Sequence, residues 1–178
     1  MAVRPDTLWF HGGPAIEDWG AIRWDRQRGT ADPNAEGPGM YFTTDKDEAR
    51  GYGRHLYVAT MMRGFRLIPR RKVTPIVLRK LYELASPDDR QVFLSNWNVQ
   101  QWPATPRQVD LALAHYDKQR QSNLETFVEL YHDLFRYDDR AFVRAMVALG
   151  YDGHIVGRDP RRRHLVLYNP DAMIITKA

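Results

Sequence analysis

The sequence predicts an α+β fold, because strand-type and helix-type segments are grouped along the chain instead of alternating. Residues 7–69 have the apolar runs and Gly/Pro turns of strands, residues 74–149 have helix-start signals and helical spacing, and strand-type sequence returns after 150. With 178 residues, 43% hydrophobic and 27% charged, the chain has the size and composition of one globular domain. We therefore expect a single domain over residues 1–178, with a helical insert at about 74–149.

The first predicted strands are short and bordered by turn residues. Two glycines and a proline at 12–14 end the first apolar run, and a Gly-Pro-Gly stretch precedes the second. Asp45 and Glu48 form a capping box, which predicts a short helix that continues to about Tyr52. The strands predicted in this region are 8–10, 40–43, 56–62 and 65–68.

Helices are predicted in the middle of the sequence. A hydroxyl residue stands directly before a proline at Thr74-Pro75, Ser86-Pro87 and Thr105-Pro106, which combines an N-cap with a proline at the first helical position. A second capping box at 122–125 and an apolar stripe after about Asp139 predict two more helices. The strands predicted after them are 154–156, 164–168 and 174–175.

The composition excludes several classes of site. The absence of cysteine excludes disulfides, thiolate zinc sites, iron–sulfur ligation and a cysteine nucleophile. The six histidines are scattered, and none stands at metal-ligand spacing, so no metal is expected. Phosphate-binding loops, dinucleotide-binding glycine motifs and the serine nucleophile elbow are also missing from the sequence.

Charge and hydropathy bear on where the protein acts. The N-terminal residues lack the apolar segment of a Sec-type signal peptide, and no apolar run approaches the roughly 18 residues that span a bilayer. We expect a cytoplasmic protein, or one delivered into a host cytoplasm, without a membrane partner. The net charge is +4, and arginine dominates the 26 basic residues, which suits phosphate contacts but does not by itself indicate nucleic-acid binding.

Three short segments carry the candidate chemistry. His11 ends the first strand and is followed by Gly12 and Gly13, so that a ligand can approach the backbone while the imidazole hydrogen-bonds a hydroxyl. Tyr41 follows a Gly-Pro-Gly turn, and Tyr52 closes the next short helix eleven residues later. Two aromatic rings joined by a strand–helix turn can sandwich a flat heteroaromatic ring.

In this order, residues 10–12, 39–44 and 49–53 resemble the ADP-ribosyltransferase family of the diphtheria-toxin and poly(ADP-ribose) polymerase type, marked by a His-Tyr-Glu triad. The interval between the two tyrosines looks especially like the toxin branch. Residues 150–156 and 165–171 are similar to the paired C-terminal strands of these transferases. The resemblance implies a split antiparallel β-core of the ADP-ribosyltransferase type with a helical insert.

The resemblance also implies roles for individual residues, with NAD as the co-substrate. His11 would bind the adenine-side ribose, and the backbone at Gly12, beside Gly13, would hold the nicotinamide carboxamide. Tyr41 and Tyr52 would line the two faces of the nicotinamide ring, and Tyr52 takes the position of the motif tyrosine. These residues would align the nicotinamide and its ribose for cleavage of the glycosidic bond.

His164 departs from the family pattern, since the resemblance implies a catalytic glutamate at this position. A neutral imidazole accepts a hydroxyl hydrogen bond but supplies no negative charge, so chain elongation is not expected, whereas transfer of one ADP-ribose remains possible. The sequence alone therefore leads us to expect higher turnover from His164→Glu. Asp152 is the next candidate should His164 take no part in the chemistry.

Arg161, Arg162 and Arg163 precede His164 directly and are candidate substrate-binding residues. They belong either to an ordinary solvated loop or to a contact with the phosphates of the cofactor or of a nucleic-acid acceptor.

The resulting prediction is a mono-ADP-ribosyltransferase that moves ADP-ribose from NAD to a macromolecular acceptor, with protein slightly favoured, and releases nicotinamide. One alternative is an enzyme of the same fold that acts on RNA or DNA, which the arginines favour. Another is a catalytically inactive module that binds an NAD-like ligand or a protein, which His164 favours.

Overall fold

The computed structural model describes residues 4, 6–19, 38–69, 72–118, 123–157 and 162–178, without the side chains of 117, 118, 123 and 124. The chain divides into two compact units. Met1–Ile68 and Gly150–Ala178 form the first unit, and Pro69–Leu149 forms the second. The helical segment predicted at about 74–149 falls within the second unit.

In the described residues the first unit contains a sheet of six strands, and every pair of neighbouring strands is antiparallel. The strand order is β4-β5-β2-β1-β3-β6. A short helix, α1, follows β2 and covers part of the sheet, and a single 3₁₀ turn precedes the last strand. The elements are β1 Trp9–Gly13, β2 Met40–Thr43, α1 Lys46–Gly51, β3 His55–Met61, β4 Gly153–Val156, β5 His164–Leu167, the 3₁₀ turn Pro170–Ala172 and β6 Met173–Lys177.

The strand register divides the side chains between two faces of the sheet. Phe42 lies opposite Leu165, and Thr43 lies opposite His164. Because successive side chains of a strand alternate, Phe42 and Thr43 must point to different faces. The core face is closed by a buried apolar cluster, and the side chains of Thr43 and His164 lie on the second face. The cluster comprises Trp9, Met40, Phe42, Ala59, Leu165, Leu167 and Met173.

Helix α1 lies against the backbone of β1, and glycine makes this contact possible. A Cβ atom at Gly12 would stand 1.7 Å from the carbonyl oxygen of Ala49, a buried residue of α1. A Cβ atom at Gly53, just after α1, would stand 2.5 Å from the Cα atom of Gly13. The two chain segments therefore pack more closely than any side chain would allow.

The second unit contains five helices in the residues that the structure describes. Thr74 caps α2 by accepting from the Val77 amide at 3.4 Å, and Ser86 caps α3 by accepting from the Asp89 amide at 3.1 Å. Each cap is followed by proline, as the sequence predicts. These helices bury large apolar side chains such as Leu81, Phe93, Leu130, Phe142 and Met146. The helices are α2 Pro75–Leu84, α3 Pro87–Asn96, α4 Pro106–Lys118, α5 Asn123–Asp133 and α6 Asp139–Ala148.

The α+β class and the antiparallel sheet are confirmed, and one predicted strand is wrong. In place of a strand at 65–68 the structure has a single bridge between Leu67 and Gly153. The Arg66 amide donates to the Asp152 carboxylate at 2.8 Å, and the Ile68 amide donates to the Gly153 carbonyl at 3.0 Å. Residues 65–68 are therefore held by the Asp152 carboxylate and by the first residue of β4, and not by the ladder of hydrogen bonds that a strand would form.

Within the described residues, no helix combines the length and the apolar character that crossing a membrane requires.

Candidate functional site

Three of the residues singled out in the sequence lie on neighbouring strands of the sheet. His11 belongs to β1, Tyr41 to β2 and His164 to β5, and these strands are adjacent in the order β5-β2-β1. Phe10 pairs with Thr43, and Thr43 pairs with His164. The fold therefore brings together segments from both ends of the sequence.

The pairing between β1 and β2 stops after its first residue pair. The register contains Phe10↔Thr43, whereas the β1–β3 ladder continues over five pairs to Gly13↔His55. Among the described residues, β1 therefore forms no further ladder pair with β2 after Phe10. The strands open at the position of the His-Gly-Gly segment.

The His11 imidazole bridges this opening from the core face. Its Nδ1 atom is 2.7 Å from the carbonyl oxygen of Tyr41, and since a carbonyl only accepts, Nδ1–H is the donor. The ring lies among the aromatic rings of Trp19, Phe42 and Tyr57, with centroid distances of 5.7, 5.3 and 6.2 Å. In the neutral ring Nε2 is then the acceptor.

Burial lowers the pKa of His11, and the hydrogen bond to the Tyr41 carbonyl opposes this shift in part. The unfolded chain consequently binds this proton more tightly than the folded protein does. We expect the His11 contribution to stability to be complete above the ordinary imidazole pKa of about 6.5 and to be lost as the pH falls below it. Urea unfolding between about pH 5 and pH 7.5 should show a smaller pH dependence in His11→Asn. Equal dependence in both proteins would contradict this assignment.

Tyr41 and Tyr52 are both placed near α1, but they differ in exposure. Tyr52 follows the last residue of α1, its amide donates to the Ala49 carbonyl at 3.1 Å, and its side chain is 71% exposed. Tyr41 is half-buried on the second face, opposite Val166. Tyr41 also affects Tyr168, the buried tyrosine that directly follows β5. Burial, and to a smaller extent the neighbouring Tyr41, raises the pKa of the Tyr168 hydroxyl. The Tyr52 ring is therefore the one that a ligand can reach directly.

A second group lies farther along the same face. The Tyr168 hydroxyl is 2.6 Å from Nδ1 of His154, and both side chains are buried. His154 pairs with Val166, which in turn pairs with Tyr41. These residues form the row next to the one that contains Thr43 and His164.

His164 makes a contact that the sequence does not reveal. Its Nε2 atom lies 3.0 Å from Oε1 of Glu48 in α1. The other carboxylate oxygen, Oε2, accepts a hydrogen bond from Thr43 Oγ1 at 2.7 Å. We call these three residues the Thr43–Glu48–His164 cluster. It places a carboxylate directly beside the position where the family resemblance leads one to expect a glutamate.

The arginines before His164 have different environments. Arg162 is mostly exposed, and its Nε atom is 3.9 Å from Oδ2 of Asp45. The Arg163 amide donates to Thr44 Oγ1 at 3.1 Å, and its carbonyl accepts from the Thr44 amide at 3.0 Å. In the part of the chain that the structure describes, Nε of Arg163 is buried without a hydrogen-bond partner. Arg161 lies outside the described residues.

Asp152, the second candidate for the catalytic acid, holds loops together. Its Oδ2 atom accepts from the Arg66 amide at 2.8 Å, and Oδ1 accepts from Nδ2 of Asn169 at the same distance. Its carbonyl accepts from the Tyr168 amide at 2.8 Å. Both carboxylate oxygens are thus used in bracing the segments around β4 and β5.

Glu48 is the residue that the sequence interpretation assigned only to helix capping. The spacing Asp45-x-x-Glu48 is fully explained by a capping box, so the sequence offers no separate signal for another role. Only the register of β2 with β5 shows that His164 reaches this carboxylate. Among the described ranges, no three histidine or acidic side chains are grouped as a metal ion would need.

Comparison with protein-family models gives no match, and comparison with curated proteins gives none either. The chain is similar to a solved structure described as the crystal structure of an anti-CRISPR protein, with 16% sequence identity and a TM-score of 0.35. The matched region covers 96% of this chain and 94% of the other.

Proposed function

We propose that the protein is a mono-ADP-ribosyltransferase that moves ADP-ribose from NAD to a macromolecular acceptor and releases nicotinamide. The observation that carries the proposal is the opening of the sheet between β1 and β2 at the His-Gly-Gly segment. Backbone amide and carbonyl groups outside a ladder suit the carboxamide of nicotinamide, which needs one donor and one acceptor. Because successive residues of an antiparallel strand turn their N–H and C=O groups to alternate sides, one of Gly12 and Gly13 directs both groups toward β2, where β1 has no ladder partner among the described residues.

The neighbouring residues fit the remaining parts of NAD. Tyr52 has an exposed ring and directly precedes Gly53, which packs on Gly13, and Tyr41 lies on β2, the neighbour of β1. Strands β1, β2 and β5 together span about 10 Å, which is the reach of nicotinamide with its ribose. In this proposal His164 contacts the nicotinamide-side ribose from the second face. The buried His11 ring lies on the core face, so its Nε2 atom would accept from a hydroxyl of the adenine-side ribose through the opening between β1 and β2.

Gly13 supports this role of His11. A Cβ atom at position 13 would stand 2.9 Å from Nε2 of His11, which is closer than Cβ contacts normally come. The glycine therefore makes room for the imidazole ring, which can hold this position only beside a residue without a Cβ atom. A larger residue at this position would have to displace the imidazole.

Binding of NAD tests the proposed role of Tyr52. Tyr52→Ala removes an exposed stacking ring and should weaken NAD binding by about 1–2 kcal/mol, or about 5- to 30-fold in Kd. Calorimetric titration with NAD measures the effect. Tyr137→Ala is the matched control, because Tyr137 is also an exposed tyrosine, 52% exposed, but belongs to the second unit. Unchanged affinity in Tyr52→Ala would rule out stacking on this ring.

A further inference from the structure

We infer that Glu48 supplies the negative charge of the proposed transferase site and positions His164, so that a helix residue replaces the glutamate absent from β5. The inference rests on the proposed function. The family resemblance indicates a glutamate on β5, at the position of His164, whereas Glu48 belongs to α1. With Glu48 in the site, the expected charge of the site changes from neutral to negative.

The first support is the direction of the Glu48 side chain. In a complete capping box, the acid three residues after the N-cap accepts from the N-cap amide. Here Asp45 caps α1 through its own carboxylate, with the Asp47 and Glu48 amides at 3.0 and 3.1 Å. The Asp45 amide instead donates to Thr43 Oγ1 at 3.1 Å. Glu48 is thereby released from capping and turns to the second face of the sheet.

The second support is that both carboxylate oxygens of Glu48 are held. Thr43 is 5% exposed, and its Oγ1 atom accepts from the Asp45 amide. Because a carboxylate only accepts, the Thr43 hydroxyl donates its hydrogen to Glu48 Oε2. Since an ionised carboxylate only accepts, the Nε2 atom of His164 carries the proton in this contact. The contact therefore selects the ring orientation and the tautomer of His164.

The third support is access. The side chains of Glu48 and His164 are 28% and 31% exposed, so the cluster lies at the surface of the second face and not in the core. With Nε2 bound to Glu48, a ligand hydroxyl would donate to Nδ1 of His164 and would lie across the imidazole ring from the carboxylate, roughly 6–8 Å away. Glu48 is then a positioning residue whose charge also acts through space on the bound ribose.

The chemistry of the transfer needs such a charge. The bond between C1″ of the ribose and the nicotinamide nitrogen breaks, and its electron pair leaves with nicotinamide, which becomes neutral. Positive charge develops on C1″ and the ribose ring oxygen. The acceptor atom then forms a bond to C1″ and loses its proton to solvent. A fixed carboxylate near the ribose stabilises this transition state, whereas a neutral imidazole alone does not.

Kinetics of nicotinamide release by the full chain test the inference. Glu48→Gln keeps the shape of the side chain and removes its charge, so we expect kcat to fall about 100-fold while KM for NAD changes less than about 3-fold. Asp47→Asn is the matched control, because it removes an equal charge one residue earlier from a side chain that is 88% exposed and paired with Arg50. It should keep the kcat of the unaltered protein.

A spectroscopic measurement tests the same contact without relying on turnover. Imidazole ¹⁵N NMR should show the proton of His164 on Nε2 in the unaltered protein and a changed tautomer population in Glu48→Gln. Thr43→Val should lose part of kcat because one carboxylate oxygen is no longer held, and Thr43→Ser should recover part of that loss because it keeps the hydroxyl group.

The outcomes separate the two proposals. Equal kcat in Glu48→Gln and the unaltered protein, or an equal loss in Asp47→Asn, would overturn the role of Glu48 and leave the transferase proposal standing. A protonated Nδ1 and unprotonated Nε2 in the unaltered protein would overturn the positioning contact. An unaltered protein that neither binds NAD nor releases nicotinamide would overturn the proposed function, and with it this inference.

Discussion

Gly12→Ala should destabilise the protein by at least about 3 kcal/mol, which is a large cost for one methyl group. The new Cβ atom would stand 1.7 Å from the carbonyl oxygen and 2.7 Å from the carbonyl carbon of Ala49. Both are backbone atoms, so no side-chain rotation relieves the overlap, and α1 must move away from β1. Since α1 carries Glu48 and is followed directly by Tyr52, this variant should also lose NAD binding.

Urea unfolding of Gly12→Ala and of Gly51→Ala provides the comparison. Gly51 belongs to the same helix, but a Cβ atom there would meet no atom of the described residues within 4 Å. Alanine at this position should be neutral or stabilise the protein by up to about 1 kcal/mol, because it lowers the entropy of the unfolded chain. Similar unfolding midpoints for the two variants would contradict the close contact between α1 and β1.

His164→Glu should lower both stability and activity, contrary to the expectation from the sequence alone. The new carboxylate would face Glu48, whose Oε1 atom is 3.0 Å from Nε2 of His164. Two such charges at about 3 Å repel by about 5 kcal/mol at an effective dielectric constant of about 20, and solvent access reduces this to about 2 kcal/mol. The site also loses the hydrogen bond that holds Glu48.

The double variant His164→Glu/Glu48→Gln is the control for this prediction. It moves the negative charge from α1 to β5 and lets the glutamine amide donate to the new carboxylate. Unfolding midpoints and rates of nicotinamide release should recover in part relative to His164→Glu. A double variant that is less stable than both single variants would show that the repulsion between positions 48 and 164 is not the cause.

Local signals in the sequence predicted most of the elements. The hydroxyl–proline pairs at 74–75 and 86–87 specify helix starts because N-capping and the fixed φ of proline act within a few residues. The same holds for β2, whose predicted and observed bounds agree at Met40–Thr43. Such features depend on neighbouring residues and are accessible without tertiary structure.

Long-range pairing could not be obtained in this way. The sequence predicts that His11 ends the first strand, and this is wrong, because β1 continues through both glycines to Gly13. The sequence also does not tell that the His11 ring turns to the core face and hydrogen-bonds the Tyr41 carbonyl. The contact between Glu48 and His164 depends on the antiparallel register of β2 with β5, two strands that are far apart in the chain. The pattern Asp45-x-x-Glu48 looks the same in the sequence whether Glu48 hydrogen-bonds the N-cap amide or contacts a residue on another strand.

The transfer reaction itself tests the central claim most directly. The purified protein is incubated with a cell lysate and NAD that carries one label in nicotinamide and another in the adenine moiety. The proposal predicts free nicotinamide together with an equal amount of adenine label on macromolecules, which protease removes if the acceptor is protein and nuclease removes if it is RNA or DNA. Binding of NAD without release of nicotinamide would contradict the proposal and identify a ligand-binding module instead.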